Sequence, residues 1–223
     1  MSRAPRVDLG DLVYHIINRA NNRQTIFKTT KDYEHFESLL KEAVGQFDMR
    51  LLGYVLMPNH WHLILHPKQD GDLSTFMQWL TLTHTQQHHA RTNTIGHGHI
   101  YQGRYKSFLV EKDNYLLTLI KYVERNAVRA KLSRTVEAWR WGSGYRRLAG
   151  TSEARKLLSA PPIELPRNYR VWVNESDDVE QLTALRTSVN KGTPFGTMKW
   201  MQRMVERFKL QMTTRAGGRP RKK

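Results

Sequence analysis

The chain has 223 residues, enough for one domain with an extension or for two small domains. A hydrophobic fraction of 39% with six Trp, nine Tyr and seven Phe can fill a core, and no apolar run is long enough for a membrane-spanning helix. Cysteine is absent, which excludes disulfides and thiolate metal sites, and 36 Lys+Arg against 20 Asp+Glu give a net charge of +16 that favours polyanionic partners.

Residues 1–10 lack the apolar stretch of a secretory signal, so a cytoplasmic, nucleoid-associated location is the expectation. Leu12–Asn18 reads as a strand. Lys31–Gln46 reads as a helix, with Phe36, Leu39, Leu40 and Ala43 at helical spacing. Leu51–Met57 is a short apolar run, hence a buried strand, and Pro58-Asn59 turns it into a second strand, His60–His66. Asp72–Arg91 is a helix with Leu73, Phe76, Met77 and Leu80 on one face, Tyr105–Glu111 a strand, and Asp113 the N-cap of a helix reaching Arg129. The order is β-α-β-β-α-β followed by a further helix. That predicts an α+β, ferredoxin-like antiparallel sheet with helices on one face and the opposite face open to a substrate. Residues 1–130 then form this sheet-and-helix domain. Residues 131–223 form a helical and irregular basic extension with a DNA-binding role, containing helices near Val179–Ser188 and Met198–Leu210 and a disordered tail.

His60 and His62 stand two apart on a predicted strand, so both imidazoles project to one face, while Trp61, Leu63 and Leu65 project toward the helices. Two imidazoles on a rigid strand make half of a divalent-metal site; a structural histidine pair is the alternative. On the helix Asp113–Arg129, at roughly 100° per residue, Leu116, Leu119, Ile120, Val123 and Ala127 form an apolar stripe. Lys121, Arg125 and Arg129 form a basic stripe opposite it. Tyr122 and Asn126 lie one turn apart on the flank between the two. A phenol and an amide so placed can serve one site, or they can be an ordinary boundary tyrosine and a helix-end asparagine.

These residues resemble the HUH single-tyrosine transposases and their REP-associated branch. The resemblance rests on His60-Trp61-His62 in MPNHWHLIL, on Tyr122 and Asn126 in KYVERNAVRA, on the stretch GHIYQGRYKSFLVEKDNYLL between them, and on WRWGSGYRRLAG beyond. It spans roughly residues 10 to 150. Two departures stand out: Ala127 follows Asn126 where many REP-associated relatives have Pro, and Gly142 or Gly144 stands where a second Ser is expected.

The resemblance implies a single-stranded DNA endonuclease and strand transferase acting at hairpin or palindromic DNA. A divalent ion, Mg²⁺ or Mn²⁺, would be held by His60, His62 and Asn126 and would polarise the scissile phosphate. Tyr122 would attack as the catalytic nucleophile, giving a 5′-phosphotyrosine and a free 3′-OH. No P-loop is present and no nucleotide cofactor is implied; members of the family act as monomers or homodimers. Arg104, Lys106 and Tyr105, with Arg125 and Arg129, suit backbone contact and base stacking, although Tyr105 and Phe108 could be ordinary strand residues. Arg219 and Arg221 in the tail suit phosphate contact.

Rival constellations are weaker. His84 and His88 have the spacing of a zinc protease, but Thr85 stands where its Glu should be. His97 and His99 sit among glycines in a loop, His15 shares a face with Val13 and Ile17 and reads as a packed histidine or one lining the open sheet face, and Tyr115, the second candidate nucleophile, has Leu119 rather than an amide one turn on. Two other functions stay open: a non-catalytic single-stranded nucleic-acid binder on a ferredoxin-like sheet, and a phosphodiesterase that uses water and leaves Tyr122 dispensable.

Overall fold

In a computed structural model that describes residues 6–215, the strands β1 (Val13–Arg19), β2 (Arg50–Met57), β3 (His60–His66) and β4 (Lys106–Val110) form one antiparallel sheet in the order β2-β3-β1-β4. Helix α1 (Thr30–Gln46) joins β1 to β2, and α2 (Asp72–Thr92) joins β3 to β4. This is the expected ferredoxin-like plan. The tight β2–β3 hairpin sets the register, with Val55 opposite His62, and β1 pairs on the other side with Ile17 opposite His62.

The alternation of β1 and β3 splits the buried residues between two faces. On the first, Tyr14, Ile16, Trp61, Leu63 and Leu65 pack against Phe36, Leu39 and Leu40 of α1 and Leu73, Phe76, Met77 and Leu80 of α2. On the second, Val13, Val55, Ile64 and Phe108 pack against Leu116, Leu119, Ile120 and Val123 of α3 (Asn114–Glu124), with Leu185 of a later helix beside them. The second face, expected to be open, is therefore covered by α3 over much of its area, and space is left beside His60 and His62. The apolar stripe on the third helix needs a partner, and that sheet face is what it covers.

The helix expected over 113–129 is divided. α3 ends at Glu124 and a one-turn α4 (Asn126–Arg129) follows, with Arg125 between them at ψ 0°. At this junction the Tyr122 carbonyl accepts from two side chains, Asn126 Nδ2 at 3.2 Å and Arg129 Nη2 at 2.5 Å.

Beyond residue 130 the chain carries α5 (Ser143–Leu148), α6 (Ser152–Arg155), α7 (Tyr169–Asn174), α8 (Val179–Lys191), α9 (Met198–Arg207) and α10 (Gln211–Thr214), so the two expected long helices are present within a few residues of their predicted ends. This segment closes both edges of the sheet. Along β2, Leu56 N–H donates to Trp141 O, Trp139 Nε1 donates to Leu56 O, and Ser143 Oγ bridges the Tyr54 N–H and C=O. Along β4, Phe195 N–H donates to Leu109 O, and Phe195 C=O accepts from Glu111 N–H. These bonds occupy β2 at Tyr54 and Leu56 and the end of β4 at Leu109 and Glu111 within the chain, which shortens the template for pairing with a second sheet.

Glu124, fully buried at the end of α3, ties the segment down: it accepts from Ser143 Oγ (2.7 Å), Arg147 Nε (3.1 Å) and Tyr169 OH (2.5 Å). Gly144 has a steric reason in the same place. A Cβ there would come within 2.1 Å of the Val136 side chain, so this position has no room for a serine.

Candidate active site

A cavity of about 900 Å³ opens between β1, β3, the start of β4 and the α3–α4 junction. His60, His62, Tyr122 and Asn126 all line it. So do Arg6, Arg19, Arg104, Lys106 and Lys191, with no Asp or Glu among the described residues of its wall. Its far side comes from the C-terminal segment, through Asn190, Lys191, Leu210 and Thr213. Five fixed cations and no carboxylate make the cavity an anion-attracting cleft.

The strand geometry places the histidines. His60 and His62 share a face, with ring centroids 5.2 Å apart. His60 Nδ1 is 2.7 Å from Asn59 Oδ1, which fixes its proton on Nδ1 and leaves Nε2 as a lone-pair donor. His62 is 3% exposed, and its Nδ1 lies 2.9 Å from Nε2 of His15, a fully buried residue whose ring stacks on His62 with centroids 5.1 Å apart. His15 was expected to be a packing residue. Its contact with His62 joins residues 47 apart in sequence, so no local pattern announces it.

Burial holds all three rings neutral near pH 7: it pushes His60 down to about 4 and His15 to about 3, and with the neighbouring His15, His60, Arg129 and Arg19 it holds His62 well below the usual imidazole range.

Tyr122 is 8% exposed, and its ring centroid is 6.0 Å from that of His62 and 6.3 Å from that of His15. One chain therefore brings the phenol to the imidazoles. Burial raises the phenol above its ordinary range, while Arg129, Arg186 and Arg19 oppose that and Asp177 adds to it. Asn126 turns its Nδ2 back onto the Tyr122 and Val123 carbonyls, which leaves Oδ1 as its free donor.

The donor set of His60 Nε2, His62 Nε2 and Asn126 Oδ1 fits a divalent ion. Two neutral imidazoles and one amide oxygen suit a borderline metal better than a strictly oxygen-seeking one, unless phosphate and water complete the shell. The His15 contact supplies the outer partner that a metal-binding imidazole needs to fix its tautomer.

Several expected DNA contacts sit elsewhere. Arg125 is 8% exposed: it pairs with Asp177 at 3.1 Å and donates to the carbonyls of Val173 and Asn174. Arg129 pairs with the same Asp177 oxygen at 3.2 Å. Neither belongs to an exposed basic stripe, because Asp177 in the run Glu175–Asp178 draws both inward. Tyr105 is buried in the first-face core with Arg6 stacked 4.0 Å above its ring, which leaves no ring face for a base. Phe108 is also buried, edge-on to His15. Arg104 and Lys106 are exposed at the cleft. Arg219 and Arg221 lie outside the described residues. His84 is a core residue whose Nδ1 is 2.7 Å from Tyr101 OH, and His97 and His99 are exposed in a loop.

The profile of the family described as Transposase IS200 like matches residues 9–126, more than half of the chain. The chain belongs to the IS200-like transposase family. The match contains the strands, the His60–His62 pair and the whole of α3 up to Asn126. Among solved structures, a REP-associated tyrosine transposase bound to a REP hairpin superposes with a TM-score of 0.56 at 18% identity, covering 74% of this chain and 92% of that one; the likeness is one of fold. A crystal structure from Deinococcus radiodurans R1, assigned as a transposase, gives a TM-score of 0.40 at 17% identity over 56% of this chain and 97% of that one. No curated protein matches the chain.

Proposed function

We propose that this transposase-family protein is a metal-dependent single-stranded DNA endonuclease and strand transferase of the REP-associated kind, acting at hairpin or palindromic DNA in the cytoplasm, with Tyr122 as nucleophile. The observation that carries the reading is the approach of the Tyr122 and His62 rings, centroids 6.0 Å apart, at a cleft walled by five cations. Residues 1–130 supply the chemistry, and Asn190, Lys191, Leu210 and Thr213 of the C-terminal segment complete the cleft.

The DNA backbone enters along Arg19, Arg104 and Lys106, which neutralise its phosphates. His60, His62 and Asn126 would hold Mg²⁺ or Mn²⁺, which when bound would supply Lewis-acid polarisation of the scissile phosphate. Tyr122 loses its proton to solvent, and its oxygen bonds to phosphorus. The P–O3′ bond breaks, the 3′ oxygen takes up a proton, and the 5′ phosphate stays on the tyrosine. Rejoining is the reverse: a 3′-OH attacks the phosphotyrosine and the phenol leaves, so no external energy source is needed.

The test is incubation with a single-stranded hairpin and Mn²⁺, followed by a denaturing gel. A protein–DNA band that disappears in Tyr122→Phe is the expected result. Cleavage that survives Tyr122→Phe would make the protein a water-using phosphodiesterase. Binding with neither cleavage nor adduct would make it a non-catalytic binder.

A further inference from the structure

Arg129 has no free role at the surface: three contacts fix its guanidinium. Its Cζ stands 4.3 Å from the centroid of the Tyr122 ring, its Nη2 donates to the Tyr122 carbonyl at 2.5 Å, and its Nη1 meets Asp177 Oδ2 at 3.2 Å. The side chains of Arg129 and Asp177 are 16% and 13% exposed, so the pair is largely withdrawn from water. Asp177 is itself held from two sides. Arg125 Nε donates to the same oxygen at 3.1 Å, and the next residue, Asp178, caps α8 by accepting from Gln181 N–H at 2.8 Å. A carboxylate from the C-terminal segment thus sets the position of a cation, and the cation lies against the face and the carbonyl of the candidate nucleophile.

We propose that Arg129 is a positioning residue for Tyr122, held by Asp177, which fixes the ring and stabilises the negative charge that develops on the phenol oxygen when it attacks or leaves phosphorus. Three physical points support this. A guanidinium over an aromatic face is attracted by the ring quadrupole, and the attraction grows as the ring acquires anionic character. A fixed cation in a partly dehydrated site acts without reorganising at the moment of reaction. The Arg129 contact to the Tyr122 carbonyl also pins the helix junction, so the ring and its backbone are held by one group. The other charged groups around the phenol are Arg19, Arg186 and Asp177. Of the cations near the phenol, Arg129 is the one stacked on the ring. This inference rests on Tyr122 being the nucleophile. It replaces the sequence expectation that Arg129 touches DNA.

The experiment compares full-length wild type, Arg129→Gln, Arg129→Lys and Asp177→Asn. Adduct formation on a single-stranded hairpin with Mn²⁺ is measured at saturating DNA, and hairpin affinity is measured over a series of salt concentrations. The expected result is a loss of about 100-fold in the adduct rate for Arg129→Gln, the scale seen when one preorganised stabilising group is removed. The hairpin Kd and its salt slope stay at wild-type values. Arg129→Lys recovers part of the rate, because it keeps the charge without the planar fork that spans Asp177 and the carbonyl. Asp177→Asn loses rate in the same direction.

An unchanged adduct rate in Arg129→Gln would overturn the proposal. So would a weaker Kd with a salt slope reduced by about 0.7, which is the signature of a single-strand phosphate contact. Should Arg129→Gln fail to fold, Arg129→Lys and Asp177→Asn are read by the same criteria. Absence of any adduct in the wild type would refute the nucleophile assignment itself, an outcome distinct from these.

Discussion

Nε2 of His15 lies 2.9 Å from Nδ1 of His62, and both rings are buried. For His62 to offer its Nε2 lone pair to a metal, its proton must sit on Nδ1 and be donated to His15. His15 then carries its own proton on Nδ1, an atom with no hydrogen-bond partner among the described residues. His15→Phe keeps a ring in the space but removes the acceptor. The expected outcome is a 10- to 100-fold weaker affinity for Mn²⁺, roughly the range for lost outer partners of metal-binding histidines, read from the free-ion signal in electron paramagnetic resonance. An unchanged affinity would mean that His62 is not held through His15.

Affinity for the DNA strand should depend on the exposed cations at the mouth of the cleft. Arg104→Gln and Lys106→Gln should each weaken hairpin binding and each lower the slope of log K against log salt by about 0.7. Fluorescence anisotropy across a salt series measures both. Tyr105→Phe, by contrast, should leave that slope at the wild-type value, since its ring is covered by Arg6.

Glu124 joins α3 to the C-terminal segment through three side chains. Glu124→Ala would strand the Arg147 guanidinium, which is 13% exposed, without its counter-ion. A loss of about 3–5 kcal/mol in urea unfolding is expected, the range for breaking a buried pair from one side.

Acid should destabilise the fold through His84. Burial against neighbouring His88, His35 and Arg91 holds it at about 3, whereas an unfolded histidine titrates near 6.5. The unfolded chain therefore binds the extra proton first: stability is full above pH 6.5 and declines as pH falls from there toward 3. Urea midpoints between pH 7 and pH 4 should drop in the wild type and drop less steeply in His84→Gln.

With both sheet edges occupied by its own C-terminal segment, the full chain should sediment as a monomer at micromolar concentration. A dimer formed by pairing of edge strands at these positions would require one of the capping segments, Trp139–Ser143 or Phe195, to leave its strand.

Much of this molecule could be read from one dimension. The strand His60–His66 was legible because strand alternation fixes which side chains share a face, and the meeting of Tyr122 with Asn126 follows from their four-residue spacing. The covering of the second sheet face was not legible. The stripe Leu116, Leu119, Ile120 and Val123 says that a helix is covered, not by what. Arg125 and Arg129 were misread because steps of four look like a solvated face. Their partner, Asp177, stands about 50 positions later, and the signal available was an acidic run, Glu175–Asp178, in a strongly basic chain. His15 carried no signal at all, since its role depends on strand register across β1 and β3.

The cleft is assembled from distant parts of the polypeptide: the imidazoles and the phenol come from its first 130 residues, whereas Lys191, Leu210 and Thr213 close the far wall. A ribosome adds roughly 5–20 residues per second, so several seconds separate the emergence of the reactive groups from that of the wall opposite them. During that interval the imidazoles and the phenol face no opposite wall, and the cleft becomes an enclosed space only once the chain through Thr213 has been made and has folded back.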